Sequence, residues 1–283
     1  MICRLSELLI SAKKNSYAVG AFNVYNLEYA KGIIEGGEEE NSPLVLQISE
    51  GVISYFGLNN ILKPCLLIAE KSKIPVCIHL DHAKSFELVI KAINAGFPSV
   101  MFDGSVLAFE DNLKITKKIV EIAKILNVSV EAEIGKVGKE EDGEGNINVE
   151  YTKIDEAIEF SKALNIDALA VSIGSIHGVT SPYVELSIDI LKELNKNIDI
   201  PLVLHGSSGV VDSSIKEAIK NGITKINVAT RLKVKVSEKI NDSILNYGVS
   251  SITDAKNLST IIKDAVKEVV KDRIRLFGSN NRV

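Results

Sequence analysis

The chain has no tryptophan, two methionines and three cysteines, and only 5% of its 283 residues are aromatic. Aliphatic side chains must therefore build the core, and a hydrophobic fraction of 46% is ample for one large domain of α/β-barrel length. Cys3, Cys65 and Cys77 are odd in number and form no CxxC pair, which argues against a disulfide framework and against a thiolate metal site. A reducing cytoplasm is the expected compartment. Charge of one sign is also scarce in blocks: acidic and basic residues are interspersed around a net charge of -4 and a pI near 5.7, so neither nucleic acid nor an anionic membrane is an expected partner. Long apolar runs are missing too. Nowhere do 18 uncharged apolar residues stand together, and the opening MICRLSELLISAKK is broken by Glu7 with no small-residue cleavage pattern, so no membrane span and no signal peptide are expected.

What is present is a rhythm of short apolar runs rich in Val, Ile, Leu and Ala, each bounded by turn residues and too uniformly apolar to alternate. Such runs suit strands buried on both faces. Eight occur: AVGAFNV from Ala18, PLVLQIS from Pro43, PVCIHLD from Pro75, SVMFDG from Ser99, VSVEAEIG from Val128, ALAVSIG from Ala168, PLVLHG from Pro201 and KINVAT from Lys225. Amphipathic stretches such as SFELVIKAINAG and DEAIEFSKALN lie between them, with apolar residues at three- and four-residue spacing. Parallel strands need crossover helices, and eight such units close into a (β/α)8 TIM barrel forming a single domain. An open doubly wound sheet is the alternative, but the first strand runs into NVYNLEYA where a dinucleotide-binding sheet needs GxGxxG.

Polar residues sort to one end of these strands. The C-terminal ends hold Asn23, Ser49, Asp81 with His82, Asp103 with Ser105, Glu131 with Glu133, His177, His205 with Ser207 and Ser208, and Asn227 with Thr230, whereas the starts are mostly Pro, Ser, Val or Ala. Barrel enzymes place their chemistry on the C-terminal face. Three of the four histidines, His82, His177 and His205, stand there, and three neutral imidazoles with open coordination positions make a catalytic rather than a structural zinc site. His79 is expected to be a core residue, because residues three apart on a strand project to opposite faces. Asp81, directly before His82, is either an acid/base beside the metal or a carboxylate that orients a histidine.

Taken in order, IHLDHA, MFDGS, EAEIGKVGKEEDG, SIGSIHG, LHGSSG and INVATR resemble the class II, metal-dependent fructose- and tagatose-bisphosphate aldolases, from AFNVYNLE to the final RIRLFGS. The resemblance implies a zinc-dependent barrel that reversibly cleaves a ketose 1,6-bisphosphate to dihydroxyacetone phosphate and glyceraldehyde 3-phosphate. It implies His82, His177 and His205 as ligands and Asp81 as the acid/base on the C4 hydroxyl. Asp103 and Glu133 resemble positions that hold a second or displaced divalent metal, with a monovalent cation a further expectation.

The same resemblance makes residues 135–149 a mobile lid after the fifth strand, with Glu141 as the base at C3 of dihydroxyacetone phosphate and Glu140 as its rival. It places Gly178, Gly206, Ser207 and Ser208 with Asn227, Val228, Ala229 and Thr230 around one phosphate, where barrel phosphate sites commonly lie, and Asn23 and Ser49 among the substrate contacts. In the C-terminal helical segment, about residues 231–283, RIRLFGS resembles an element whose arginine reaches the 6-phosphate held by a neighbouring subunit. Arg275 takes that role in an expected homodimer or homotetramer.

Two positions depart from the family pattern. Many relatives show Tyr and then Lys or Ser after His-Gly, whereas Val179, Thr180, Ser181 and Pro182 follow here, so a phosphate-contacting lysine is not expected at that place. Ala229 stands where many fructose-bisphosphate enzymes carry Asp or Asn, and NVAT resembles the tagatose-bisphosphate branch. A non-catalytic sugar-phosphate-binding barrel or aldolase partner subunit would have lost ligands or the acid/base, and none is lost. A Schiff-base aldolase needs a lysine at a strand's C-terminal end; the sixth run has none, and Lys225 is read as opening its strand at the opposite end.

Overall fold

All eight apolar runs become parallel strands in a computed structural model that describes residues 1–139, 149–179 and 183–283. They are β1 (Val19–Asn23), β2 (Leu44–Ser49), β3 (Val76–Ala83), β4 (Ser99–Phe102), β5 (Ser129–Ile134), β6 (Ala168–Val171), β7 (Leu202–Leu204) and β8 (Ile223–Val228). Each pairs with its sequence neighbour, and β1 closes the ring against β8, with Val19 beside Lys225 and Gly20 beside Leu44. The expected closed (β/α)8 barrel is the observed fold, and closure leaves no unpaired edge in the sheet.

Strand alternation divides the core in two. Phe22, Leu44, Leu46, Ile78, Leu80 and Val100 face outward and pack under the surrounding helices. Val19, Ala21, Val45, Cys77, Met101, Ala168, Ala170 and Val203 face inward at the lower end, where Leu5, Leu8, Leu9 and Ala12 of the helix Leu5–Asn15 cap them. Leu5 and Leu9 are fully buried there, and each such leucine contributes roughly 1.5–3 kcal/mol relative to an exposed one. Above this apolar plug the interior turns polar: Gln47, His79, Asp81, Ser99, Glu131, Glu133, Lys225 and Asn227 are all buried. The sequence asymmetry thus becomes a vertical gradient, dry and aliphatic below, charged and hydrogen-bonded above.

The C-terminal segment forms the helices Thr230–Tyr247, Ser250–Thr253 and Ala255–Phe277. The last lies on the helix Leu27–Glu39 at close range, because Gly32 and Gly36 have no side chain to hold it off; a Cβ on Gly32 would stand 2.5 Å from the Lys263 carbonyl oxygen. No single described helix is long and apolar enough to cross a membrane. The apolar helices Glu50–Phe56 and Leu58–Glu70 are bent by 107° and bury Ile53, Ile61, Leu62 and Cys65 in the outer core.

Candidate metal centre and active site

His82, His177 and His205 meet at the upper mouth of the barrel, each offering a ring nitrogen within 4.8 Å of the others. Their rings stand edge to face, with centroids 4.5 Å apart for His82 and His205 and 5.3 Å for His82 and His177. His205 continues β7 directly, and His177 belongs to a two-residue ribbon in which Ile176–His177 pairs with Gly138–Lys139. His82 arrives by a backbone distortion. Its φ of 50° is left-handed, and the β3–β4 register shifts between Leu80 and Ala83. That conformation costs about 1–2 kcal/mol for a residue with a side chain, a strain typical of functional sites.

This bulge corrects the sequence argument about His79. His79 is a buried core residue as expected, but it faces the barrel interior, with Nδ1 2.8 Å from Ser99 Oγ and Nε2 3.7 Å from Glu131. Simple alternation would send His82 outward. The bulge turns it inward beside Asp81, and Ala83 resumes the outer core.

Hydrogen bonds fix the histidine tautomers. His82 Nδ1 lies 2.8 Å from Asp103 Oδ2, and a carboxylate only accepts, so Nδ1 carries a proton and Nε2 is the nitrogen turned toward the other histidines. His205 Nε2 donates in the same way to Glu131 Oε1 at 2.9 Å, leaving Nδ1 as the free base. His82 Nε2 and His205 Nδ1 then face one another across 2.8 Å, so a proton on His82 Nε2 bridges them, and a metal ion there would take that proton's place. The carboxylates supply the matching field. Burial opposes a charge on His82, yet Asp81, Asp103 and Glu133 outweigh it and raise its pKa, whereas burial holds that of His205 well below the usual value, with His82 and Lys225 acting in the same direction.

Asp103 and Glu133 form a second cluster with His82. Asp103 also accepts from the Ser105 amide and hydroxyl, and although burial works against ionisation, His82 and Ser105 hold its pKa low. Burial and then Asp103 push Glu133 up to about 8, and its Oε2 has no hydrogen-bond partner while lying 3.7 Å from His82 and 3.8 Å from His205. Three convergent imidazoles and an orphaned carboxylate oxygen fit a divalent ion with open positions.

Asp81 sits beside the histidines and is almost fully buried. Asn23 Nδ2 donates to its Oδ2 at 3.0 Å and Asn227 Nδ2 to its Oδ1 at 3.2 Å; Gln47 in turn donates to Asn23 Oδ1. Burial would raise its pKa, but His82, His205, Lys225 and the Asn23 bond prevail and lower it, so Asp81 is an ionised base. Its Oδ1 lies 4.0 Å from His82 Nε2, and Asp81 belongs to neither of the two ligand clusters among the described residues.

A pocket of about 210 Å³ joins Asp81, His82 and His177 to Asn23, Ser49, Gly178, Gly206, Ser207, Ser208, Asn227, Ala229 and Thr230. Gly206 has a left-handed φ of 65°, and a Cβ there would lie 2.9 Å from the Ile176 carbonyl carbon, so only glycine passes. The helix Thr230–Tyr247 begins at this wall, its opening N–H groups and Ser207 and Ser208 lying where an anion would bind.

A profile of the class II fructose-bisphosphate aldolases matches residues 3–282. The chain belongs to that family. Fructose-bisphosphate aldolase of Staphylococcus aureus strain Mu50 is 40% identical over 281 residues, covering 98% of each chain, and that of Ureaplasma parvum serovar 3 is 38% identical over 287, covering 98% of this chain and 97% of the relative. Among solved structures, the YdjI aldolase of Escherichia coli K12 superposes with a TM-score of 0.86 at 31% identity, covering 100% of this chain and 99% of the other. A fructose-1,6-bisphosphate aldolase described as putative, from Coccidioides immitis, gives 0.88 at 27% identity, covering 99% and 97%.

Not every expected site residue of this class II aldolase reaches the pocket. Val228 packs in the outer core. Arg275 lies on the surface in a two-point pair with Glu40 of its own chain, at 3.0 and 2.7 Å. Glu140, Glu141 and Thr180, Ser181 and Pro182 lie outside the described residues. The stem of the loop is less irregular than its sequence suggests, since Lys136 and Glu150 exchange backbone hydrogen bonds and Gly138–Lys139 pairs beside His177. Tyr25 lines the pocket unforeseen; its place two residues past the end of β1 was the available signal. The expectation that Lys225 opens its strand is corrected. Ile223 and Thr224 extend β8 downward, and a register shift against β7 sets Lys225 beside Val203 with its side chain wholly enclosed in the barrel.

Proposed function

We propose that this class II aldolase cleaves fructose 1,6-bisphosphate reversibly to dihydroxyacetone phosphate and glyceraldehyde 3-phosphate, with Zn²⁺ as the ion held by His82, His177 and His205. The observation that carries the reading is the convergence of three imidazoles at the barrel mouth, two of them lining one pocket with Asp81 and the third buried behind it. The ion supplies Lewis acidity toward the ketose carbonyl, dispersing the negative charge left at C3. Asp81, held by Asn23 and Asn227, takes the C4 hydroxyl proton as the C3–C4 bond breaks, so C4 leaves as an aldehyde. Glu141 returns a proton to C3. Gly206, Ser207, Ser208 and the start of the helix at Thr230 hold the phosphate of the dihydroxyacetone half, fixing the reacting carbons against Asp81.

Arg275 serves the far phosphate of a neighbouring copy in a homodimer or homotetramer, and its exposed pairing with Glu40 leaves it able to exchange partners. The cysteines carry free thiols, which supports a reducing, cytoplasmic setting. Ala229 lines the pocket with a methyl group only, so a side-chain hydrogen bond does not select the C4 configuration at that point. Release of triose phosphate from fructose and tagatose 1,6-bisphosphate in parallel tests the substrate. Cleavage of the fructose sugar at the higher kcat/KM supports the proposal, a reversed preference reassigns the substrate, and cleavage of neither refutes it.

A further inference from the structure

The lysine enclosed at the centre of the barrel is held between two partners, by an ion pair and hydrogen bond to one and a hydrogen bond to the other. Lys225 Nζ lies 2.9 Å from Glu131 Oε2, 3.2 Å from Glu131 Oε1 and 2.8 Å from Asn227 Oδ1, and none of its side chain is exposed. These two partners serve opposite halves of the site. Glu131 accepts from His205 Nε2, and Asn227 donates to Asp81. An ammonium donates and never accepts, so it dictates which end of the Asn227 carboxamide faces it: Oδ1 turns to Lys225 and Nδ2 is left for Asp81. It likewise keeps Glu131 as an acceptor, which places the His205 proton on Nε2 and the lone pair on Nδ1, toward His82.

We propose that Lys225 is a positioning residue that sets the His205 tautomer through Glu131 and the Asn227 orientation through a direct hydrogen bond, coupling the metal ligands to the acid/base. The proposal rests on reading the pocket as a metal-dependent aldolase site. Lys225 does not itself line the pocket; it stands behind Asn227, which does, and it is charged and paired with Glu131. Without it Asn227 is free to turn its oxygen toward the Asp81 carboxylate, and the carboxyl group of Glu131 loses the partner that holds it against His205. Outer partners of metal-ligating histidines have effects of this kind, typically about 10–100-fold in metal affinity or activity.

Lys225→Met alone strands the Glu131 charge and endangers folding, so the decisive variant is the double Lys225→Met/Glu131→Gln. It is uncharged, close in volume, and keeps an amide oxygen that is able to accept from His205 but is no longer held in that orientation. Co²⁺ affinity by chelator competition, the visible absorption band of the Co²⁺-loaded protein, thermal unfolding, and kcat and KM for fructose 1,6-bisphosphate are compared with the parent. The expected result is a cooperative unfolding transition, Co²⁺ bound about 10–100-fold more weakly with an altered band, and kcat lowered at least about 10-fold with KM little changed. A folded double variant with the parent's Co²⁺ affinity, band and kcat overturns the proposal. So does a change confined to thermal stability, or a double variant that does not fold, since both make the pair part of the scaffold alone. The Co²⁺ readouts use no sugar: a parent protein that binds Co²⁺ at the histidines yet cleaves no bisphosphate refutes the aldolase reading while the metal half of the Lys225 assignment is still decided.

Discussion

Asp81→Ala separates proton transfer from metal binding. Asp81 belongs to neither ligand cluster and, among the described residues, accepts from Asn23 and Asn227, so its removal is expected to delete a base without deleting a ligand. Loss of a positioned general base lowers turnover by roughly 10²–10⁴-fold. That corresponds to about 2.7–5.5 kcal/mol of transition-state stabilisation. Two amide donors lose their acceptor, at about 1–3 kcal/mol each if no water replaces it. Both carboxamides line the pocket, where water reaches them, so the folding cost falls toward the lower end and within the usual margin of about 5–15 kcal/mol. The assay measures bound metal by elemental analysis and triose phosphate release on one preparation. Metal near one equivalent per three-histidine site with turnover reduced by that factor supports the assignment. Metal lost in proportion to turnover makes Asp81 a support of the ligands, and an unchanged rate removes it from the reaction.

Glu141→Ala is expected to slow isotope exchange at C3 of dihydroxyacetone phosphate by about 10²-fold or more; suppression by Glu140→Ala instead moves the role one residue back, and no effect of either excludes a base on that loop. Arg275→Ala is expected to raise KM for the bisphosphate while leaving dihydroxyacetone phosphate exchange nearly intact, and Glu40→Gln, which frees the guanidinium, to do neither harm; equal damage to both reactions, or full activity in a monomer, rules out a shared phosphate site. Gly32→Ala is expected to destabilise by about 1–3 kcal/mol through overpacking against the Lys263 carbonyl, read as a lower thermal midpoint. An unchanged midpoint there means that the two helices move apart without cost.

The barrel was legible because strands buried on both faces leave long apolar runs, and all eight runs became strands. The convergence of the three histidines was legible for a different reason: each stands at or shortly after the end of such a run, where strand ends of a barrel converge. What failed was inference from alternation alone. His82 reaches the site by a left-handed residue inside a bulge, and no apolar pattern marks a change of backbone sign at a histidine. Lys225 failed in the same way, since Ile223 and Thr224 lengthen the strand backward through a glycine turn and place an apparent strand opener in mid-barrel. Its partner Glu131 lies far away in sequence, and a charge pair enclosed by a closed sheet has no local signature. Tyr25 and Gln47 add a point of another kind, because a polar residue near a strand end declares its neighbourhood and not its partner.

The central claim is that carbon–carbon bond cleavage here depends on a divalent ion held by His82, His177 and His205. The most direct test strips the protein with a chelator, measures metal and aldol cleavage together, and repeats both after Zn²⁺ is added back, with His177→Ala in parallel. The account predicts that metal and cleavage vanish together, that Zn²⁺ restores both in the parent, and that the variant recovers neither. Full cleavage by metal-free protein, or substrate trapped on a lysine by borohydride, would contradict it.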